Sequence, residues 1–147
     1  MAHAEIKETL GVSKDKLWDA ITRYEDYPKF VDGCTAVKVE RKSAGHARVT
    51  YSVSMVKDIT YVMDHKEDKE KGIVSWSLVE SDFFKKNDGH WNIKDSGADK
   101  TAVDYQVEVE FKIPVPGFML KGLINKNLPS MIKSFEKQAK AGADRKV

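Results

Sequence analysis

From Val103 to Phe111 the chain alternates apolar and polar residues without a break: Val103, Tyr105, Val107, Val109 and Phe111 share one phase. A period of two marks a strand with one buried face. The same period recurs upstream. Val49, Tyr51, Val53 and Met55 make one face, and Ile59, Tyr61, Met63 and His65 the next. Val74, Trp76 and Leu78 make a third, and Trp91 with Ile93 a fourth. Ala4 to Leu10 and Val37 to Arg41 read as two further strands. Between those two, Ser13 is a helix N-cap and Leu17, Ile21 and Tyr24 recur at helical spacing. Tyr27-Pro28 stops that helix, because a residue before proline avoids the α region, and Lys29 to Val31 gives a second short turn of helix.

Turns are predicted at Ser43-Ala44-Gly45, Lys57-Asp58, Glu70-Lys71-Gly72 and Asp95 to Asp99, with the strongest hairpin signal at Asn87-Asp88-Gly89. After Pro114 and Pro116 the period becomes helical from Phe118 to Ala139. Met131, Ile132, Phe135 and Ala139 fall on one side, and Lys133, Lys137 and Lys140 on the other. Pro116-Gly117 opens this helix and Pro129 kinks it. The fold class expected is α+β: a curved antiparallel sheet of about seven strands around a long C-terminal helix, with two short helices after the first strand. Residues 1–147 form one domain on this reading, with 142–147 a fraying tail.

A twisted sheet of that width curls, and a single helix about 10 Å across fills one end of the concavity more easily than all of it. The expectation is an apolar cavity. Its wall comes from Tyr51, Val53, Met55, Tyr61, Met63, Trp76, Trp91, Tyr105, Val107 and Phe111, and from Leu120, Ile124, Met131 and Phe135 on the helix. Such stripes also build solid cores. Only the shortage of helix favours a hollow. Burying roughly 300 Å² of ligand at about 25 cal/mol/Å² gives on the order of 7 kcal/mol before the loss of ligand freedom, enough for a micromolar binder.

Composition narrows the partners. Lys and Arg number 25 against 23 Asp and Glu, a net charge of +2, so bulk charge supports no sequence-specific nucleic-acid binding. One cysteine, Cys34, excludes an internal disulfide and fits a reducing, cytoplasmic setting. No run approaches the roughly 18 apolar residues of a membrane span, and the N-terminus lacks a signal-peptide pattern. His3, His46, His65 and His90 lack metal-ligand spacing, and no motif asks for a cofactor. His65 shares phase with Tyr61 and Met63, so it is the candidate polar group of the cavity, with Tyr61 and Tyr105 as further polar tips. Asp104, Glu108 and Glu110 alternate to the solvent side. Cys34 is a nucleophile only if His65 lies beside it; otherwise it is a small buried residue. Phe83, Phe84, Lys85 and Lys86 form an apolar and basic patch in which at least one Phe is expected to pack.

Three stretches carry a family resemblance: Tyr27-Pro28-Lys29-Phe30-Val31-Asp32-Gly33-Cys34; Leu78-Val79-Glu80 through Phe84-Lys85-Lys86 to Gly89-His90-Trp91; and the strand Val103 to Phe111 with the helix that follows. Together they make the chain resemble the START-like helix-grip superfamily from about Ile6 to Ala139. It looks most like the branch of coenzyme Q-binding START proteins, polyketide cyclase/dehydrase-like proteins and the bacterial ribosome-association toxin. Ser81-Asp82-Phe83 stands where that branch tends to carry Gly-Pro-Phe, and Pro114-Val115-Pro116-Gly117 precedes the helix; both reshape the cavity rim.

The resemblance implies a helix-grip fold and binding, shielding or transport of a hydrophobic small molecule: a lipid, a quinone or a polyketide-like compound. Two alternatives come with it. One is an aromatase/cyclase-type enzyme using His65, Tyr61 and Tyr105. The other is a ribosome-associated protein using Lys133, Lys137 and Lys140, a face that also suits transient membrane contact.

Overall fold

The alternating segments form seven strands: β1 (Ala2–Leu10), β2 (Cys34–Ser43), β3 (His46–Ser54), β4 (Asp58–Asp68), β5 (Ile73–Ser81), β6 (Phe84–Gly97) and β7 (Lys100–Phe111). They build one antiparallel sheet in the order β1-β7-β6-β5-β4-β3-β2. The computed structural model describes residues 2–54 and 58–142. Met55, expected in the cavity wall, and Lys57 of one predicted turn lie outside the described residues, as does the tail beyond Gly142, which itself still belongs to a helix.

The curved sheet expected to wrap the helix is not what forms. The sheet is open: it runs from edge strand β1 to edge strand β2, and among the described residues these edges do not pair. The cause is the connection between them. After β1 the chain forms α1 (Lys14–Thr22) and a 3-10 helix (Tyr24–Lys29), and the latter packs on β2. Helices, not ladder hydrogen bonds, bridge the space between the edges. Whether the interior is filled must therefore be read from burial, not from curl.

Local chemistry explains these elements. Ser13 caps α1, its Oγ accepting the Lys16 N–H at 3.4 Å. Leu17, Trp18, Ala20 and Ile21 are the residues α1 buries. Tyr27 ties the 3-10 helix back to α1, its hydroxyl donating to the Ile21 carbonyl. Thr101 of β7 is fully buried and donates to the Val12 carbonyl at 2.7 Å, fixing the turn after β1. Gly72 sits at φ +70° between β4 and β5, where a Cβ would lie 2.2 Å from the Ile93 carbonyl oxygen; only glycine fits.

Asn87-Asp88-Gly89 is not a hairpin. All three lie inside β6, and the β5–β6 connection falls at Ser81 to Phe83, where the Ser81 Oγ accepts the N–H groups of Phe83 and Phe84. The glycine is there for another reason. The Trp76 ring lies over it, so a Cβ at position 89 would stand 2.6 Å from that ring and 2.3 Å from the Gln106 carbonyl oxygen. Both Phe83 and Phe84 are buried.

The C-terminal helix has three parts: α2 (Gly117–Gly122), a π-helical turn (Leu123–Asn127) and α3 (Leu128–Gly142). The irregularity expected at Pro129 falls just before it. Proline has no N–H for the carbonyl four residues back, and the strain is taken up as a wide turn in which the Leu128 N–H reaches the Leu123 carbonyl. α3 buries Ile132, Phe135 and Ala139, while α2 and the π turn bury nothing. Glu136 adds a tie: its carboxylate accepts the Gly11 N–H at 2.6 Å.

Candidate functional site

The inner face of the sheet carries an unusual density of rings. Phe135 of α3 is wedged edge-on among Tyr27, Phe30 and Trp91, with centroids 5.2, 5.0 and 4.9 Å away. From Trp91 the contacts pass to Tyr105 at 4.9 Å, Trp76 at 5.4 Å and His65 at 6.1 Å. They continue to Tyr51 at 5.9 Å and return to Tyr27 at 6.1 Å. Seven side chains thus close a circuit contributed by the 3-10 helix, β3, β4, β5, β6, β7 and α3. Tyr61 joins through Tyr51 at 5.4 Å and links to a second cluster of Ile59, Phe83, Phe84 and Phe111.

The sequence-predicted wall residues divide into two groups. Tyr51, Met63, Trp91, Tyr105, Val107 and Phe135 are buried. Val53, Tyr61, Trp76, Phe111, Leu120, Ile124 and Met131 are only partly buried. Trp76 is the informative one. It stands on β5, the central strand of the sheet, in the inward phase of Val74 and Leu78, yet part of it remains accessible. From the helix, half-buried Ile124, Leu128 and Met131 pack against the same core cluster. Inward-facing apolar surface that is not covered is space between sheet and helix.

Polar atoms punctuate this face. His65 is 6% exposed, and its Nε2 lies 2.7 Å from the Tyr51 hydroxyl. Burial away from water holds its pKa down, to about 3, so the ring is neutral at neutral pH; Asp64 pulls weakly the other way and the Arg41 charge adds to the lowering. Burial likewise pushes the phenols of Tyr51, Tyr61 and Tyr105 well above their usual range, so all three carry their protons. Among the described residues the Tyr61 and Tyr105 hydroxyls have no hydrogen-bond partner, and His65 Nδ1 is buried with none.

Several site-forming residues escaped the sequence reading. Asn87 shares the inward phase of Trp91, and its Oδ1 accepts from Trp76 Nε1 at 3.2 Å. Tyr24 stacks on His65 with centroids 4.4 Å apart and donates its hydroxyl to Glu67. Glu67 in turn accepts two hydrogen bonds from the Arg41 guanidinium, at 2.9 and 3.1 Å. Glu67 was findable: the phase from Ile59 through His65 places it on the inner face.

Cys34 and His65 are not brought together. Cys34 pairs with Val53 and His65 with Ala47, six residues further along β3, which is about 20 Å of strand. Burial raises the Cys34 thiol pKa, which disfavours the nucleophilic thiolate. Lys133, Lys137 and Lys140 are exposed, and Lys140 lies 3.9 Å from Glu136. Asp104, Glu108 and Glu110 alternate with the inward residues of β7. A separate depression of about 480 Å³, rimmed by Lys7, Thr9, Lys94 and Asp104, is wide open to solvent and belongs to the β1–β7–β6 end of the sheet. No group of three or more metal-ligating side chains clusters among the described residues, and no described helix is long and apolar enough to cross a membrane.

An aromatic-lined space between an antiparallel sheet and a closing helix defines a helix-grip, START-like protein. The chain belongs to the family described as polyketide cyclase / dehydrase and lipid transport, whose sequence model matches residues 10–136. Hydrophobic-ligand binding or transport is the function typical of that family. No curated protein matches the chain by sequence. Among solved structures it is similar to the Zhui aromatase/cyclase of a Streptomyces species, at TM-score 0.85 and 13% identity over 97% of this chain and 95% of that one. It is also similar to a START superfamily protein of Mycobacterium smegmatis, at TM-score 0.83 and 20% identity over 95% and 97%. An 18 kDa protein of Caulobacter crescentus gives TM-score 0.79 and 21% identity over 98% and 99%. At these identities the likeness is one of fold.

Proposed function

We propose that this protein binds a hydrophobic small molecule between the inner face of its sheet and its C-terminal helix, and shields or carries it. The observation that carries this reading is the incomplete burial of Trp76, Tyr61 and Phe111 on inward positions, together with a helix segment, 117–127, that buries nothing of its own. The wall on this reading is Tyr51, Val53, Tyr61, Met63, Trp76, Trp91, Tyr105, Val107 and Phe111, closed by Leu120, Ile124, Met131 and Phe135. Extraction of the natively expressed protein with organic solvent, followed by mass spectrometry, tests it. A stoichiometric apolar molecule is expected. An empty protein that also leaves Trp fluorescence unchanged across a panel of lipids and quinones refutes it.

One observation favours a second reading, a cyclase-type enzyme: the Tyr51–His65 pair is an inward polar group of the kind acid–base chemistry needs. Its protonation argues for binding instead. A histidine with pKa about 3 is a weak base at neutral pH, far from the match that proton abstraction favours.

A further inference from the structure

Charge is spread unevenly along this chain. Residues 111–135 hold four lysines, Lys112, Lys121, Lys126 and Lys133, and no Asp or Glu, whereas the whole chain is only +2. Lys112 is used internally: its ammonium donates to the Ser81 carbonyl at 2.6 Å. Lys121, Lys126 and Lys133 are exposed and make no ion pair among the described residues. Exposed apolar side chains gather in the same stretch. Three large hydrophobic residues are exposed among the described residues, and two of them, Ile113 at 42% and Phe118 at 78%, flank the Pro114-Val115-Pro116 segment that leads into α2.

The two parts of the C-terminal helix present different surfaces. On α3 the exposed positions Ser130, Lys133, Lys137 and Lys140 carry no large apolar residue beside them, which makes a solvated face. On α2 Phe118 and Lys121 stand three residues apart on one face, both exposed, and Asn125 and Lys126 continue that exposed side through the π turn. Ile124, in the same turn, is half-buried and packs against the core. The carboxylates that bracket the lysine stretch are engaged. Glu110 lies 3.8 Å from Lys85, and Glu136 accepts the Gly11 N–H and lies 3.9 Å from Lys140. Asp82 is exposed in the β5–β6 connection, beside the Phe83 carbonyl that accepts the Lys112 N–H, so the basic surface ends at Lys112. A lone exposed phenylalanine needs no explanation. One beside unpaired lysines, with a second exposed apolar residue five positions away, has the composition of an interfacial surface: apolar groups for the acyl boundary and ammonium groups for phosphate.

From this juxtaposition we infer that the segment Ile113 to Lys126 docks on an anionic lipid bilayer. Phe118 and Ile113 enter the headgroup boundary, and Lys121 and Lys126 meet the anionic groups of the lipids. This docking is independent of ligand binding: it stands on the outer surface of the helix alone. A nucleic acid would use the lysines and leave Ile113 and the two prolines without a role, whereas a bilayer uses both kinds of group. Docking here sets against the membrane the part of the helix that buries nothing, and leaves the Phe135 and Glu136 contacts of α3 undisturbed.

Co-sedimentation of the full chain with vesicles tests it, using phosphatidylcholine alone and phosphatidylcholine with roughly 30% phosphatidylserine. Binding is expected on the anionic vesicles and about tenfold weaker on the neutral ones. Lys121→Gln/Lys126→Gln should weaken anionic binding about 25-fold, about fivefold for each lysine. Phe118→Ser should weaken it about tenfold at low and at high salt alike, because salt screens the lysines and not the ring. Both variants alter exposed side chains without partners among the described residues, so their near-ultraviolet spectra should match the parent. Lys133→Gln/Lys137→Gln, on the α3 face, should leave binding within about twofold. No binding to anionic vesicles, binding that survives both α2 variants, or an equal loss from the α3 variant overturns docking through α2. Retention on single-stranded RNA that needs the lysines but not Phe118, with no vesicle binding, assigns the surface to nucleic acid and overturns it too. None of these results bears on the internal ligand, which solvent extraction reads separately.

Discussion

Acid should destabilise this protein through His65 before its carboxylates titrate. The imidazole is buried among Tyr24, Tyr51 and Trp76, with Asp64 and Arg41 the charges that act on it. Burial lowers its folded pKa to about 3 from an ordinary 6.5. A depressed histidine binds its proton more readily in the unfolded chain, so folding stability is full above pH 6.5 and falls as pH drops toward 3. Each pH unit in that window is worth about 1.4 kcal/mol, which makes the loss between pH 7.5 and pH 5 roughly 2 kcal/mol. That is a large share of the 5–15 kcal/mol typical of a folded domain. Urea unfolding at pH 7.5, 6 and 5 measures it. The comparison is the double variant Tyr51→Phe/His65→Leu, which removes both polar partners together and strands neither. Its stability should be flatter with pH by the same roughly 2 kcal/mol. Equal slopes in the two proteins would refute a buried neutral His65.

Other substitutions probe the packing around the site. Phe135→Ala removes a 2%-exposed ring from the Tyr27, Phe30 and Trp91 cluster and should cost about 3–5 kcal/mol in denaturant unfolding. Gly89→Ala forces a methyl against the Trp76 ring and the Gln106 carbonyl; a loss of about 1–3 kcal/mol and a shifted Trp emission are expected. Tyr24→Phe deletes one of three hydrogen bonds to Glu67 and should cost about 1 kcal/mol, because Arg41 still satisfies the carboxylate. In hydrogen exchange, amides of 117–127 should open faster than those of 130–140, since α3 buries three residues and the segment before it none.

What the sequence disclosed, and what it hid, follows from the range of each signal. Period-two alternation is local, so the inward phase of β3, β4, β5 and β7 was legible, and His65 could be placed on the inner face from Tyr61 and Met63 alone. Register is not local. Nothing in the sequence says that Tyr51 lies across from Tyr61, close enough for its hydroxyl to reach His65 further down β4. The misread glycine shows a second limit. Asn-Asp-Gly suits a tight turn, but a glycine crossed by a tryptophan leaves the same letters in the chain. Once that turn was assumed, Asn87 could not be seen as an inward residue bonded to Trp76. The open sheet is a third case. Twist is a property of every strand, whereas pairing of the two edges depends on how the β1–β2 connection packs, which no short window reports.

The two ends of the C-terminal helix differ in what a ligand would have to disturb. At the α3 end, entry means withdrawing Phe135 from three rings and breaking the Glu136 tie to Gly11. At the α2 end no residue is fully buried, Phe118 is 78% exposed, and the Pro129-induced π turn already lacks regular helical hydrogen bonding. Opening there exposes little that was hidden, and the energetic cost of a local opening tracks the apolar area it uncovers. Entry and release on the binding reading therefore run beneath α2, and α3 stays in place as the fixed wall. The same asymmetry shows in burial along the helix: Leu120 and Ile124 are half-buried in the end that yields, and Ile132, Phe135 and Ala139 are fully buried in the end that does not.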